Sequence, residues 1–324
     1  MGKTRPGGPK RFYMNSIQIM ARESGDPLAL AFDKMVLGGA MMDRLMPRPT
    51  AEPPDDWANF LTAGTGRPAA AYVNIPFCPS LCSFCGFFKT AFNEQIEEKY
   101  IEALLAEIER EGRAARTAGL LLSAVYIGGG TPTVLSAAAL EKLLAAINGQ
   151  LPLAGGCEIT VESRLSTLTD EKLAVIECQG VNRLSIGVQS FDDDVRRRVG
   201  RFDSFDRIRA RLKRISKTIP LLVLDLIYGL PGQSLEKFDR DLGAALDSGA
   251  KGLALYMLKL GPLSPLAKKI KDGAEESPPI LSEMTRYYQL AVERLRAAGL
   301  RQISNCHWTF EGADGNVYNH MCPK

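Results

Sequence analysis

The chain has no uninterrupted apolar stretch long enough for a signal peptide or a membrane span. Its N-terminus, Met1-Gly-Lys-Thr-Arg-Pro, has Pro at position six where a myristoylation signal has Ser or Thr. It also lacks an excess of charge of one sign: 40 Lys and Arg against 37 Asp and Glu give a net charge of +3, far from the balance of a nucleic-acid-binding domain. These absences set the expectation of a cytoplasmic protein with neither a membrane nor a nucleic acid as partner. Seven cysteines and only two histidines are present. With three of the cysteines clustered, the set fits a reducing compartment better than a disulfide framework.

That cluster is the most informative segment: Tyr72-Val-Asn-Ile-Pro-Phe-Cys78-Pro-Ser-Leu-Cys82-Ser-Phe-Cys85-Gly-Phe-Phe88. Cys-x3-Cys-x2-Cys puts three thiolates on one short loop, and no fourth close ligand follows to complete a structural zinc site. An iron-sulfur cluster normally takes four cysteines, so three leave one iron open to another ligand. Three unrelated buried thiols are the competing interpretation, because free cysteine packs as a small hydrophobe.

With 324 residues, 45% of them hydrophobic, the chain can bury one large core or two smaller ones. From about residue 70, short apolar runs alternate with helical patterns, as in repeated βα units. Strands are expected at 70–75, 124–127, 158–161, 183–188, 221–227 and 253–257, with helices at 94–113 and 234–247 among those between. Six such units predict an α/β fold, a partial (β/α)6 TIM-like barrel, whose active groups project from the C-terminal ends of the strands.

The polar motifs fall at those ends. Gly128-Gly129-Gly130-Thr131-Pro132 follows the second strand, where glycine lets backbone approach a ligand closely. Glu162 ends the third strand, and a carboxylate there can accept both hydrogens of a diol, although a surface ion pair is an even alternative. The fourth gives Asn182-Arg-Leu-Ser-Ile-Gly187-Val188-Gln189-Ser190-Phe191, followed by Arg196, Arg197, Arg198 and Arg201. Apart from Arg201, these arginines are expected to line a solvated helix face. Asp225 interrupts the apolar run Leu221–Ile227, where an unpaired charge is costly, so it is expected to have a partner.

Together these motifs resemble the radical S-adenosylmethionine (SAM) enzymes, in the branch that includes oxygen-independent coproporphyrinogen oxidase, over roughly residues 70 to 260. The resemblance implies a radical SAM barrel with a 4Fe-4S cluster held by Cys78, Cys82 and Cys85. SAM binds the open iron, and reduction splits it into methionine and a 5'-deoxyadenosyl radical. By the same resemblance Gly129, Gly130 and Thr131 contact the methionine portion and Glu162 binds the ribose. Gln189 hydrogen-bonds the cofactor, Arg201 grips its carboxylate, and Asp225 faces the cofactor or another polar group of the site. Tyr72 and Phe84 lie on the adenine side, where Ile227 can also pack.

Within the branch, the oxidase carries a fourth cysteine where this chain has Phe87. The haem chaperones keep Glu-Ala-Asn-Pro where it reads Glu162-Ser-Arg164-Leu. The leader Asp26-Pro-Leu-Ala-Leu-Ala-Phe, Cys85-Gly-Phe-Phe, Tyr256-Met-Leu-Lys-Leu and Ser304-Asn-Cys306-His307-Trp308 are most similar to the HutW/ChuW family of anaerobic haem degradation. That resemblance implies a methyltransferase that opens the haem macrocycle without oxygen, releases iron, and takes electrons from a reductant such as flavodoxin or ferredoxin. His307 is a candidate iron ligand or a structural histidine, and Arg164 and Lys259 are candidate propionate partners. The expected domains are an N-terminal arm at 1–68, the core barrel at 69–300, and at 301–324 the start of a truncated C-terminal domain.

Overall fold

The computed structural model describes residues 68–87, 90–261 and 264–321. The expected N-terminal arm lies outside the described residues, apart from its last position.

Six parallel strands form the framework: β1 (Ala69–Ile75), β4 (Leu122–Gly129), β5 (Leu153–Ser163), β6 (Arg183–Gln189), β7 (Leu221–Tyr228) and β8 (Gly252–Met257). A two-stranded parallel pair, β2 (Phe77–Cys78) and β3 (Thr90–Ala91), brackets the cysteine loop. Helices α1 (Glu94–Thr117), α2 (Ala137–Gln150), α3 (Asp170–Cys178), α4 (Asp193–Arg198), α5 (Phe205–Thr218) and α6 (Leu235–Leu246) connect the parallel strands. This is the α/β, partial TIM-like barrel expected from the alternating pattern.

After β8 come α7 (Pro265–Lys271), α8 (Leu281–Ala297), β9 (Leu300–Gln302), β10 (His307–Phe310) and α9 (Val317–Met321). The sheet order is β1-β4-β5-β6-β7-β8-β10-β9, with β10 antiparallel to both β8 and β9. Within 301–324, expected to open a further domain, β10 therefore adds directly to the barrel sheet.

The helices begin where short polar side chains can take up free backbone amides. Asn93 accepts from Gln95, Ser136 from Ala139, Thr169 from Lys172 and Ser234 from Lys237. Gly112 allows α1 to pass against the end of α2, since a Cβ there would lie 2.1 Å from the Gln150 carbonyl oxygen.

Strand side chains alternate, and the two faces have different chemistry. Val125, Ile127, Val161, Leu184, Ile186, Leu222, Leu224, Leu253 and Leu255 are buried in the main apolar core. The alternate positions carry Tyr126, Glu158, Thr160, Glu162, Arg183, Ser185 and Asp225. Part of this polar face is filled by the chain after β10. Arg183 donates to both oxygens of Asp314 at 3.3 Å, and Glu158 accepts from the amides of Val317 and Tyr318. Tyr318 packs on Tyr126 and Tyr72 with ring centroids 4.8 and 5.9 Å apart.

Candidate functional site

The three cysteines follow β1. Cys78 ends β2, and Cys82 and Cys85 lie in the turn beyond, where the Cys85 amide donates to the Cys82 carbonyl at 3.3 Å. All three are free thiols. The Thr131 hydroxyl lies 3.7 Å from the Cys78 sulfur, which ties the glycine-rich segment to the loop. Burial pushes the Cys78 thiol up, while Thr131 acts against that rise. Among the described residues no three His, Cys, Asp or Glu side chains converge on a single ion. A cluster needs no such convergence, since each thiolate binds its own iron, and the donor set therefore fits a cluster.

The glycine segment packs tightly at its first three positions. A Cβ on Gly128 would meet the Tyr72 hydroxyl at 2.8 Å and the Glu162 carboxylate at 3.0 Å. Gly129 has φ of +110°, and its Cβ would strike the Asn74 side chain. At Gly130 the obstacle is the Phe77 carbonyl oxygen, 2.4 Å away. Glu162 is fixed from two sides: it accepts from Tyr126 Oη at 2.8 Å and from the Gly129 amide at 3.2 Å. Burial, and then the Glu162 charge, push the Tyr126 hydroxyl well above the ordinary phenol range, so it stays a donor.

Gln189 and Arg201 meet over Gly187. β6 carries a bulge between Gly187 and Gln189, and Gln189 has φ of +74°, a conformation that costs about 1–3 kcal/mol in a residue with a side chain. Its side-chain amide nitrogen lies 2.7 Å from where a Cβ on Gly187 would be, while Arg201 donates to the Gly187 carbonyl at 2.9 Å. Arg201 is 7% exposed, and its Nε has no partner. Such a buried orphan donor fits a missing anion, as a cofactor carboxylate would supply.

Asp225 accepts from the Ser185 hydroxyl at 3.0 Å, which meets the expectation of a polar partner. Phe84 packs with Ile227 in a small apolar group that includes Val195, Leu230 and Leu258. Tyr72 instead stacks on Tyr126 at 5.8 Å. Phe87, in place of the oxidase's fourth cysteine, is 76% exposed.

One expectation changes, and three candidate residues can be placed. Arg196 is not on a solvated face: it is 2% exposed and donates to the carbonyls of Val188, Ser190 and Asp203, bracing the Gln189 turn. Arg164 is buried, and its guanidinium donates to the Ser80 carbonyl and hydroxyl on the cysteine loop. Lys259 is exposed after β8. His307 is buried, with Ser304 Oγ at 2.6 Å and Cys306 Sγ at 3.4 Å from its Nδ1 and Tyr256 edge-on to its ring.

Sequence reading passed over the roles of Tyr126, Asn74 and Ser185. Their signal was a polar side chain at alternate positions of an otherwise apolar strand, aligned across the sheet by register.

A family model described as the radical SAM superfamily matches residues 72–245. Anaerobilin synthase of Escherichia coli O157:H7 is 36% identical over 254 residues, covering 78% of this chain and 57% of that protein. The haem chaperone HemW of Bacillus subtilis is 36% identical over 247 residues, covering 73% of this chain and 62% of HemW. The solved coproporphyrinogen III oxidase HemN of Escherichia coli, a radical SAM enzyme, matches with a TM-score of 0.73 at 27% identity. That match covers 87% of this chain and 66% of HemN. The alignments with the two curated relatives thus span about 57–62% of their lengths. The family's cofactors are a 4Fe-4S cluster and SAM, and by sequence and fold alike this chain belongs to the radical SAM superfamily, in its HemN-like branch.

Proposed function

We propose that this protein opens and methylates the haem macrocycle anaerobically and releases its iron. The observation that carries this reading is one set of side chains at the C-terminal ends of the parallel strands, in a chain that is 36% identical to an anaerobilin synthase over most of its own length. In this reading Cys78, Cys82 and Cys85 hold the cluster. Gly129, Gly130 and Thr131 face the methionine portion of SAM, and Glu162 takes the ribose diol. Gln189 and Arg201 hold the amino-acid end, Asp225 completes the polar wall, and Tyr72, Phe84 and Ile227 border the adenine.

When bound and reduced, the cluster and SAM supply a carbon-centred radical. The protein's part is to fix that cofactor rigidly and hold the porphyrin edge beside it, which lowers the barrier through orientation. Glu162 is well suited to this because Tyr126 and Gly129 leave its carboxylate little freedom. The bent backbone at Gln189, braced by Arg196, fixes the opposite wall. Methyl transfer needs SAM in a second role, either as a second molecule or in sequence. A low-potential protein such as flavodoxin or ferredoxin supplies electrons. Among the described residues no helix is long and apolar enough to cross a membrane, and the reading places the reaction in the cytoplasm.

A second reading, a haem chaperone, draws on the likeness to HemW at the same identity. A coproporphyrinogen oxidase is disfavoured by Phe87 at the fourth-cysteine position. Anaerobic incubation of the cluster-loaded chain with SAM and a low-potential reductant, run in parallel with haem, with haem plus an apo-acceptor and with coproporphyrinogen, separates the three. Loss of the Soret band with a methylated linear tetrapyrrole and free iron is the expected result. An intact Soret band with haem transfer to an apo-acceptor would establish the chaperone, and decarboxylation of coproporphyrinogen the oxidase.

A further inference from the structure

Arg164 ends up in a place its sequence neighbourhood did not foretell. It follows β5 directly and is 9% exposed. The backbone there is pinned, because the Arg164 carbonyl accepts from the amides of Thr167 and Leu168 and from the Thr167 hydroxyl, each at 3.1 Å. At the far end of the side chain, Nη1 donates to both the carbonyl and the hydroxyl of Ser80 at 3.2 Å. Ser80 lies midway along the loop between Cys78 and Cys82. A guanidinium held at both ends is a fixed charge, with little rotamer entropy left to lose.

Its surroundings are short of negative charge. Burial first, and then neighbouring Arg201, lower the Arg164 pKa, with Cys82 and Cys78 acting in the opposite sense. Nearby arginines have ion-pair partners: Arg183 has Asp314, Arg198 has Glu275, and Arg196 takes Asp203 at 3.6 Å. Among the described residues neither Arg164 nor Arg201 reaches a carboxylate within 4.0 Å, and the Nε of each is buried without a partner. Two buried like charges that act on one another are unfavourable unless an anion compensates them. The cofactor carboxylate is one such anion. A cluster with three thiolates, which bears net negative charge and gains more on reduction, is the other.

We propose that Arg164 is a positioning residue for the iron-sulfur cluster that raises its reduction potential, by holding a fixed positive charge against the loop shared by Cys78 and Cys82. The inference rests on these cysteines being the cluster ligands. One electron from an external donor enters the cluster, no bond forms or breaks, and the added negative charge is stabilised by the nearby guanidinium more than the oxidised state is.

The test is a redox titration of the anaerobically reconstituted full chain without SAM, followed by electron paramagnetic resonance, with iron and sulfide measured in each sample. Arg164→Gln keeps a polar amide and removes the charge, Arg164→Met removes both polarity and charge, and Arg164→Lys keeps the charge. At full iron content, both neutral variants are expected to titrate to more negative potential. The expected size is roughly tenfold in the ratio of reduced to oxidised cluster, or about 59 mV for a one-electron couple. Arg164→Lys is expected close to the parent. A parent-like potential in fully loaded Arg164→Gln would overturn the inference. So would loss of iron from both neutral variants with an unchanged potential in the loaded fraction, which would mark Arg164 as a loop clamp only. Failure of the parent chain to assemble any cluster would instead overturn the ligand assignment.

Discussion

The Tyr126 hydroxyl donates to one oxygen of Glu162 at 2.8 Å, while the Gly129 amide takes the other oxygen at 3.2 Å. The two bonds come from different residues of β4 and reach different oxygens, so the carboxylate is held in a fixed orientation. Tyr126→Phe removes one orienting bond and is expected to weaken SAM binding about 3- to 10-fold, the scale of one hydrogen bond. Glu162→Gln removes the charged acceptor and is expected to weaken it at least roughly tenfold. Calorimetry on cluster-loaded protein measures both, and an unchanged affinity in Glu162→Gln would remove Glu162 from the cofactor site.

Gly128 and Gly130 are expected to respond differently to the same substitution. The nearest atoms to the Cβ of Gly128→Ala are the ends of two side chains, Tyr72 and Glu162, rather than backbone, so the chain should fold while the displaced Glu162 binds SAM more weakly. In Gly130→Ala the Cβ meets the Phe77 backbone at 2.4 to 3.0 Å, which cannot move without disturbing β2. A loss of about 2–4 kcal/mol in urea unfolding is expected for Gly130→Ala and little for Gly128→Ala. The reverse order would contradict the assignment of these two contacts.

Serine at Cys78, Cys82 or Cys85 is expected to remove most of the iron, sulfide and brown absorbance after reconstitution while the far-ultraviolet circular dichroism is kept. Serine at Cys157 or Cys178 should leave the iron content in place, since Cys157 lies on β5 and Cys178 at the exposed end of α3. Equal iron in all five variants would exclude the loop as the cluster site.

The six parallel strands were legible to within a few residues because each repeats core-facing apolar residues over a short stretch between longer helical patterns. β9 and β10 were not, being short, partly polar and stabilised by pairing with each other and β8. Arg196 and Arg197 show the same limit at one site. They are adjacent in one arginine run, yet one is buried under three carbonyls and the other is exposed beside Asp194. Composition cannot tell them apart, because which carbonyls lie above the helix depends on where β6 ends. The pairing of Glu162 with Tyr126 was hidden for a similar reason, since it depends on register between β4 and β5.

Asp241 should give stability a pH dependence. It lies buried on α6 and accepts from Ser190 Oγ, the Phe191 amide and Gln233 Nε2, yet burial outweighs these bonds and raises its pKa to about 6. A folded-state value above the unfolded 3.8 means the native state holds the proton more tightly. This contribution is therefore fully present below 3.8 and is lost as pH rises through about 6. The slope is at most about 1.4 kcal/mol per pH unit. Asp241→Asn is expected to be less stable overall and to lack that fall. Parallel stability curves for the two proteins from pH 4 to 7, measured by urea unfolding, would count against it.

Formation of 5'-deoxyadenosine tests the central claim most directly. The reconstituted chain is incubated without oxygen with SAM and a low-potential reductant, with and without haem, and the nucleoside is quantified by mass spectrometry. The account predicts 5'-deoxyadenosine in an amount that rises with haem and falls to background in Cys82→Ser. Its absence from protein with full iron and sulfide and bound SAM, in the presence of haem, would contradict the account.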